Sequence, residues 1–172
     1  DSNQCLEFTP IIESTIYTKI PVAPDSITDE ITVIRFEEAF DNNWSVIVYP
    51  LTHGDVYPVI SSDFDKIHAV KTINATGNKW VITLKNQVQF SEHSPTQRLY
   101  FINGNDTVLY CLLEGNLTRN GILMAQDIGN TNPFEIQPAT LQRNAMVQIH
   151  FRFEKNNEQV TFNNEIQVLN VP

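Results

Sequence analysis

From Glu30 onward the chain breaks into short runs rich in β-branched and aromatic residues, separated at close intervals by glycine, asparagine and proline. The runs are Glu30 to Phe36, Trp44 to Tyr49, Val56 to Ile60, Ile67 to Ile73, Lys79 to Leu84 continuing to Phe90, Arg98 to Ile102, Thr107 to Leu113, Gly121 to Gln126, Phe134 to Gln137, Met146 to Phe153, Glu158 to Phe162 and Ile166 to Leu169. Segments of that length, punctuated so often, suit strands joined by turns. All six glycines fall between runs or at their edges, and Asn103-Gly104 and Asn120-Gly121 are dipeptides that a tight hairpin turn accepts at positive φ. Composition agrees: 32 Val and Ile stand against 18 Leu and Ala. Branching at Cβ suits a pleated sheet and crowds a helix, so the expected fold is all-β, an antiparallel β-sandwich with few or no helices.

At 172 residues the chain is long enough for one well-buried core. Residues 1–28 hold one short strand-like stretch, Thr15 to Ile20, and then Pro21 and Pro24, which cannot donate to a central ladder. The organisation expected is an N-terminal arm over 1–28, packed on or extending from a single sandwich domain over 29–172. The clearest strand is Met146 to Phe153, where Val147, Ile149, Phe151 and Phe153 alternate with Gln148, His150 and Arg152. Lys155-Asn-Asn-Glu158 turns it back into a second strand.

The formal charge of −9 is unevenly placed. Residues 1–65 carry 12 acidic side chains against Lys19 and Arg35, whereas residues 66–172 carry 8 acidic and 9 basic ones. That field repels phosphate backbones and anionic lipid, so the sequence argues against a nucleic-acid partner and favours a basic protein surface or a cation. No apolar run is long enough to span a membrane. The chain begins at Asp1, as a secreted chain does once its leader is removed.

Cys5 and Cys111 are the two cysteines. Cys111 sits in the apolar run Thr107 to Leu113, where a disulfide to Cys5 or an inert buried thiol would fit. The disulfide is the favoured reading, since it would tie down a chain end that otherwise frays. Glycosylation sequons occur at Asn43, Asn74, Asn105 and Asn116. The last three adjoin Gly77, Gly104 and Gly115, at turns where a glycan would point into water. Together these features describe an extracellular or cell-surface chain.

Catalytic patterns are absent from the sequence. There is no G-x-S-x-G elbow, no phosphate-cradling glycine loop and no H-E-x-x-H or C-x-x-C spacing around His53, His68, His93 and His150. Asp63-Phe-Asp65, with Asp55 nearby, is the densest acidic group but lacks the glycine and closing glutamate of a calcium loop. No cofactor, metal or enzymatic activity is therefore expected.

Gln148, His150 and Arg152 form the most suggestive polar feature, three hydrogen-bonding heads in a row on one strand. The segment from Ile149 to Asn163, with its Asn-Asn turn at 156–157, resembles the galectin signature, in which His, Asn and Arg alternate before an Asn-rich turn and a returning strand. The Asn-Pro that separates the family's His and Arg is missing between His150 and Arg152. The resemblance implies a sandwich of the galectin or jelly-roll kind, an immunoglobulin-like one being the other form open, and a sugar contact at Gln148, His150 and Arg152. The function expected first is a non-catalytic recognition module for a protein or glycan. Next come a subunit assembling by N-terminal strand addition and a lipocalin-like carrier.

Overall fold

The computed structural model describes residues 4–37, 43–57, 66–103, 106–138 and 145–168. The sequon residue Asn105, Gly104 of the Asn103-Gly104 turn and the acidic run 63–65 lie outside the described residues. The chain is all-β, with antiparallel ladders and, among the described residues, one four-residue helix, α1 (His53–Val56). Its contacts fall into two compact units, one covering Thr9–Thr107 and the other joining the segment up to Phe8 with the chain from Val108 onward.

In the first unit β2 (Ile11–Lys19), β3 (Thr28–Ile34), β4 (Trp44–Val48), β5 (Ile67–Asn74), β6 (Lys79–Val88) and β7 (Arg98–Asn103) close into a barrel, in the order β2-β3-β6-β5-β4-β7. Period-two alternation turns Ile31 and Val33, Val46 and Val48, Ile82 and Leu84, and Leu99 and Phe101 inward, where all are fully buried. Removing each of these side chains from water stabilises the fold by about 1.5–3 kcal/mol. Register shifts interrupt the β2–β3, β2–β7, β3–β6 and β5–β6 ladders. Such bulges sharpen the bend and twist of a strand, which is how so few strands close without a second layer. Phe36, just past β3, packs its ring 4.7 Å from Trp80 and 4.8 Å from Phe101.

The stretch read as an arm supplies two strands. β1 (Cys5–Phe8) pairs with β8 (Val108–Leu113), and β2 is a nine-residue barrel strand bonded to β3 and β7. Its periodicity is faint in sequence because the two positions it buries fully are Thr15 and Tyr17, both polar-tipped. The Thr15 hydroxyl is satisfied by donating to the Ile34 carbonyl at 2.9 Å.

The second unit contains two sheets, one ordered β1-β8-β9-β10 with β9 (Asn116–Arg119) and β10 (Ile122–Ala125), the other β11-β12-β13 with β11 (Phe134–Gln137), β12 (Ala145–Lys155) and β13 (Glu158–Val168). Both contribute to one apolar cluster, Leu112 and Leu117 from the first meeting Phe134, Ile149, Phe151 and Phe153 from the second. Cys5 and Cys111 occupy the same rung of the β1–β8 ladder, with Cα atoms 4.1 Å apart, and are joined by a disulfide. The hairpins turn at Glu114-Gly115, Asn120-Gly121 and Asn156-Asn157, every one of these residues having positive φ. At Gly115 two features favour glycine: its φ is +77°, and a Cβ there would lie 3.2 Å from the Ile128 carbonyl oxygen. β13 runs unbroken through Asn163-Asn164-Glu165, where the sequence divides into two runs, because β12 pairs with it on every rung from Ala145↔Val168 to Lys155↔Glu158.

Candidate recognition face

The site is built by alternation. Opposed residues of an antiparallel ladder project to the same side, so the rungs Gln148↔Glu165, His150↔Asn163, Arg152↔Thr161 and Glu154↔Gln159 define one face of the second sheet. β11 extends it through Glu135↔Gln148 and Gln137↔Met146. Among the described residues Met146 is the sole apolar side chain on that face. The opposite face carries Phe134, Ile149, Phe151 and Phe153 into the shared cluster.

Gln148, His150 and Arg152 thus stand on one side of β12 at intervals of about 6.7 Å along the strand. His150 and Arg152 are exposed and Gln148 is half-buried. His150 Nδ1 lies 2.9 Å from Asn163 Oδ1. Arg152 is held from two sides: its Nε sits 2.6 Å from Glu154 Oε1, and its Nη2 donates to the Gly129 carbonyl at 3.3 Å. The segment 127–133 runs beside β12 and fixes this edge of the face. Asn130 donates its amide to the His150 carbonyl at 2.8 Å and accepts the Arg152 N–H at 2.9 Å, while Lys155 pairs with Asp127 at 2.9 Å. Gly129 keeps room for the Glu154 carboxylate, since a Cβ at that position would come within 2.5 Å of its oxygen.

Asn163, Thr161, Glu165 and Glu135 belong to this face and were not singled out by sequence reasoning. The signal that finds them is the alternation of β12 carried across the Asn156-Asn157 turn onto the returning strand. A recess at the hairpin tip is lined by residues 154–159. The face's array of imidazole, guanidinium, amide, hydroxyl and carboxylate groups can form many hydrogen bonds to a polyhydroxyl or peptide surface.

In the barrel unit Tyr, His and Ser side chains come together. Tyr17 is fully buried in the barrel, its hydroxyl accepts the Ser94 N–H at 2.8 Å and lies 3.3 Å from His93 Nδ1. The Ser94 hydroxyl is within 3.4 Å of Thr96 Oγ1 and accepts the Arg98 N–H, so it is engaged by its own loop rather than by His93. Burial pushes the Tyr17 phenol up from its ordinary pKa, against the opposing effect of the Ser94 backbone bond. This arrangement pins the β6–β7 loop to the barrel.

Lys66 collects the acidic residues near α1: its Nζ donates to the Tyr49 carbonyl at 2.9 Å, lies 3.3 Å from Asp55 and 3.8 Å from Glu92. Burial raises the Asp55 pKa, but backbone N–H bonds from Thr52 and Leu51 and the Lys66 ammonium outweigh it and hold the carboxyl below its ordinary value. No group of three or more His, Cys, Asp or Glu among the described residues is placed to hold a metal ion. Of the sequon asparagines, Asn43 and Asn74 are exposed and Asn116 is half-buried at the start of β9.

No family model, curated protein or solved structure matches this chain.

Proposed function

We propose that the chain is a secreted or cell-surface recognition module that holds a glycan or protein partner on the polar face of β11, β12 and β13, without acting on it chemically. The observation that supports this reading is the continuity of that face over three strands, with Arg152 and His150 held in place by Glu154, Gly129 and Asn163. Groups so restrained lose less side-chain freedom on binding, which favours affinity. Sandwich lectins present such stripes, and the paired sheets of the second unit, packed on one cluster, fit a small sandwich of that kind. Aromatic rings are absent from the described part of the face, so a sugar would be held by hydrogen bonds, with weak affinity per site.

The disulfide is compatible with an extracellular protein. Among the described residues no helix is long and apolar enough to cross a membrane. The barrel interior, filled by Tyr17, Leu84, Leu99, Phe101 and their neighbours, weighs against a lipid carrier. Strand addition by the N-terminal segment competes with existing pairings, since β1 is tied to β8 and β2 to β3 and β7.

The test is a glycan array, with affinity capture from an extracellular extract in parallel, using the wild-type chain, His150→Ala and Arg152→Ala. Binding that both substitutions abolish supports the face. Binding that survives both removes it.

A further inference from the structure

β13 is the last strand of its sheet, and no described strand lies beyond it. It is an unusual edge. Its ladder with β12 runs over eleven consecutive rungs without a bulge, and Glu158–Val168 contains no lysine or proline, its charges being Glu158 and Glu165. Bulges, prolines and above all lysines are devices by which sheet edges are ordinarily protected from pairing with another chain. On the side away from the polar face Val160, Phe162 and Ile166 are 66%, 49% and 45% exposed.

What this edge fits is decided by its sequence. Residues 160–168 read Val-Thr-Phe-Asn-Asn-Glu-Ile-Gln-Val, a palindrome in polarity about Asn164. Laid antiparallel against a second copy with Asn164 on the two-fold axis, Phe162 meets Ile166, Thr161 meets Gln167, Asn163 meets Glu165 and Val160 meets Val168. Over residues 160–168 apolar residues oppose apolar ones and polar oppose polar, and no two like charges face each other. Such cross-strand pairs stabilise a ladder, and opposed like charges would destabilise it. Shifting the register by one residue places Phe162 against Glu165 and Thr161 against Ile166. Shifting the axis to Asn163 opposes Phe162 with Asn164 and leaves Glu158 facing Val168. The strand is therefore complementary to itself in one register.

We infer that two copies of this chain associate through β13, antiparallel and centred on Asn164, forming one continuous six-stranded sheet. Such a contact is isologous and closes on itself as a dimer. It extends the polar faces of both copies into one surface, so that two weak sites act together on a multivalent ligand. Edge pairing buries little area, which places dissociation in the micromolar range, about 10 μM.

The test is sedimentation velocity of the full chain from about 1 to about 100 μM, bracketing that affinity. The wild type is expected to pass from monomer to dimer. Phe162→Lys and Ile166→Glu, each alone, set a charge against an apolar residue and should weaken association at least about tenfold, equivalent to about 1.4 kcal/mol. The double variant sets lysine against glutamate across the axis and should restore the dimer. Within one chain these positions are about 13 Å apart along the strand, so the rescue cannot be internal. Both side chains are substantially exposed, and circular dichroism of each variant confirms that the fold is intact. A wild type that stays monomeric at the highest concentration overturns the inference. A dimer indifferent to the single substitutions, or one the double variant does not restore, overturns it equally.

Discussion

His150 and Asn163 face each other on one rung of the β12–β13 ladder, with the imidazole Nδ1 2.9 Å from the amide oxygen Oδ1. The rung is exposed, and the next rungs on the same face, Gln148↔Glu165 and Arg152↔Thr161, are also polar pairs. A polar pair kept at an exposed rung does little for stability, because water replaces its hydrogen bond at almost no cost. Asn163→Ala is expected to change stability by less than about 0.5 kcal/mol in urea unfolding. Its effect belongs to recognition: without the amide the imidazole is no longer oriented, and ligand affinity should fall in Asn163→Ala as well as in His150→Ala.

The disulfide tests the other sheet. Cys5 and Cys111 are 106 residues apart in sequence and close a loop containing the entire barrel unit. Replacing both by serine should destabilise the second unit by about 2–4 kcal/mol, as expected for a long loop, with β1 the first strand to detach from β8. Hydrogen exchange of the residue 5–8 amides, compared with and without reductant, measures this directly. Protection that is equal in the two conditions would show that pairing alone holds β1.

Much of this architecture could be read from the residues, and the parts that could not share a physical cause. The β12–β13 hairpin announces itself because Val147, Ile149, Phe151 and Phe153 alternate strictly and Asn156-Asn157 suits positive φ. Barrel closure leaves no comparable mark, since β2 pairs with β7 and β3 with β6 across long sequence separations and through bulges that break simple periodicity. β9 was missed because four residues with one fully buried side chain, Leu117, carry too little pattern. The Gln148, His150 and Arg152 stripe was legible, but its partners Asn163, Thr161 and Glu165 depend on register, which only the folded ladder fixes. The junction of Tyr17 with Ser94, 77 residues away, is likewise invisible until the barrel forms.

That junction makes the barrel sensitive to alkali. The Tyr17 phenol is raised above its unfolded value by burial, so above about pH 10 the unfolded chain loses its proton before the folded one does. Stability should be complete below that pH and decline as pH rises toward the folded pKa. Tyr17→Phe removes the titration and should flatten this decline. It also leaves the buried Ser94 N–H without its partner, at a cost of about 1–3 kcal/mol near neutrality. Thermal unfolding from pH 7 to 11 checks both effects.

At the acid end Asp55 acts in the opposite sense. Its carboxyl titrates below its unfolded value, so its contribution to stability is fully present above about pH 4 and is lost as pH falls through the folded pKa. Asp55→Asn abolishes the Lys66 ion pair and weakens the bonds from Leu51 and Thr52, and should lower stability at neutral pH by about 1–2 kcal/mol. The difference from wild type should narrow as pH drops below 4, which urea unfolding at a series of pH values would show. A difference that is constant with pH would contradict this account of the carboxylate.

Recognition by the polar face of β11, β12 and β13 is tested most directly by isothermal titration of the ligand identified on the array or by capture. The comparison is between the wild type, His150→Ala, Arg152→Ala and a control, Glu30→Ala, whose side chain is exposed on the barrel unit. The account predicts at least about tenfold weaker binding for the two face variants, a loss of about 1.4 kcal/mol, with the control unchanged. Equal affinity in all four chains would contradict it.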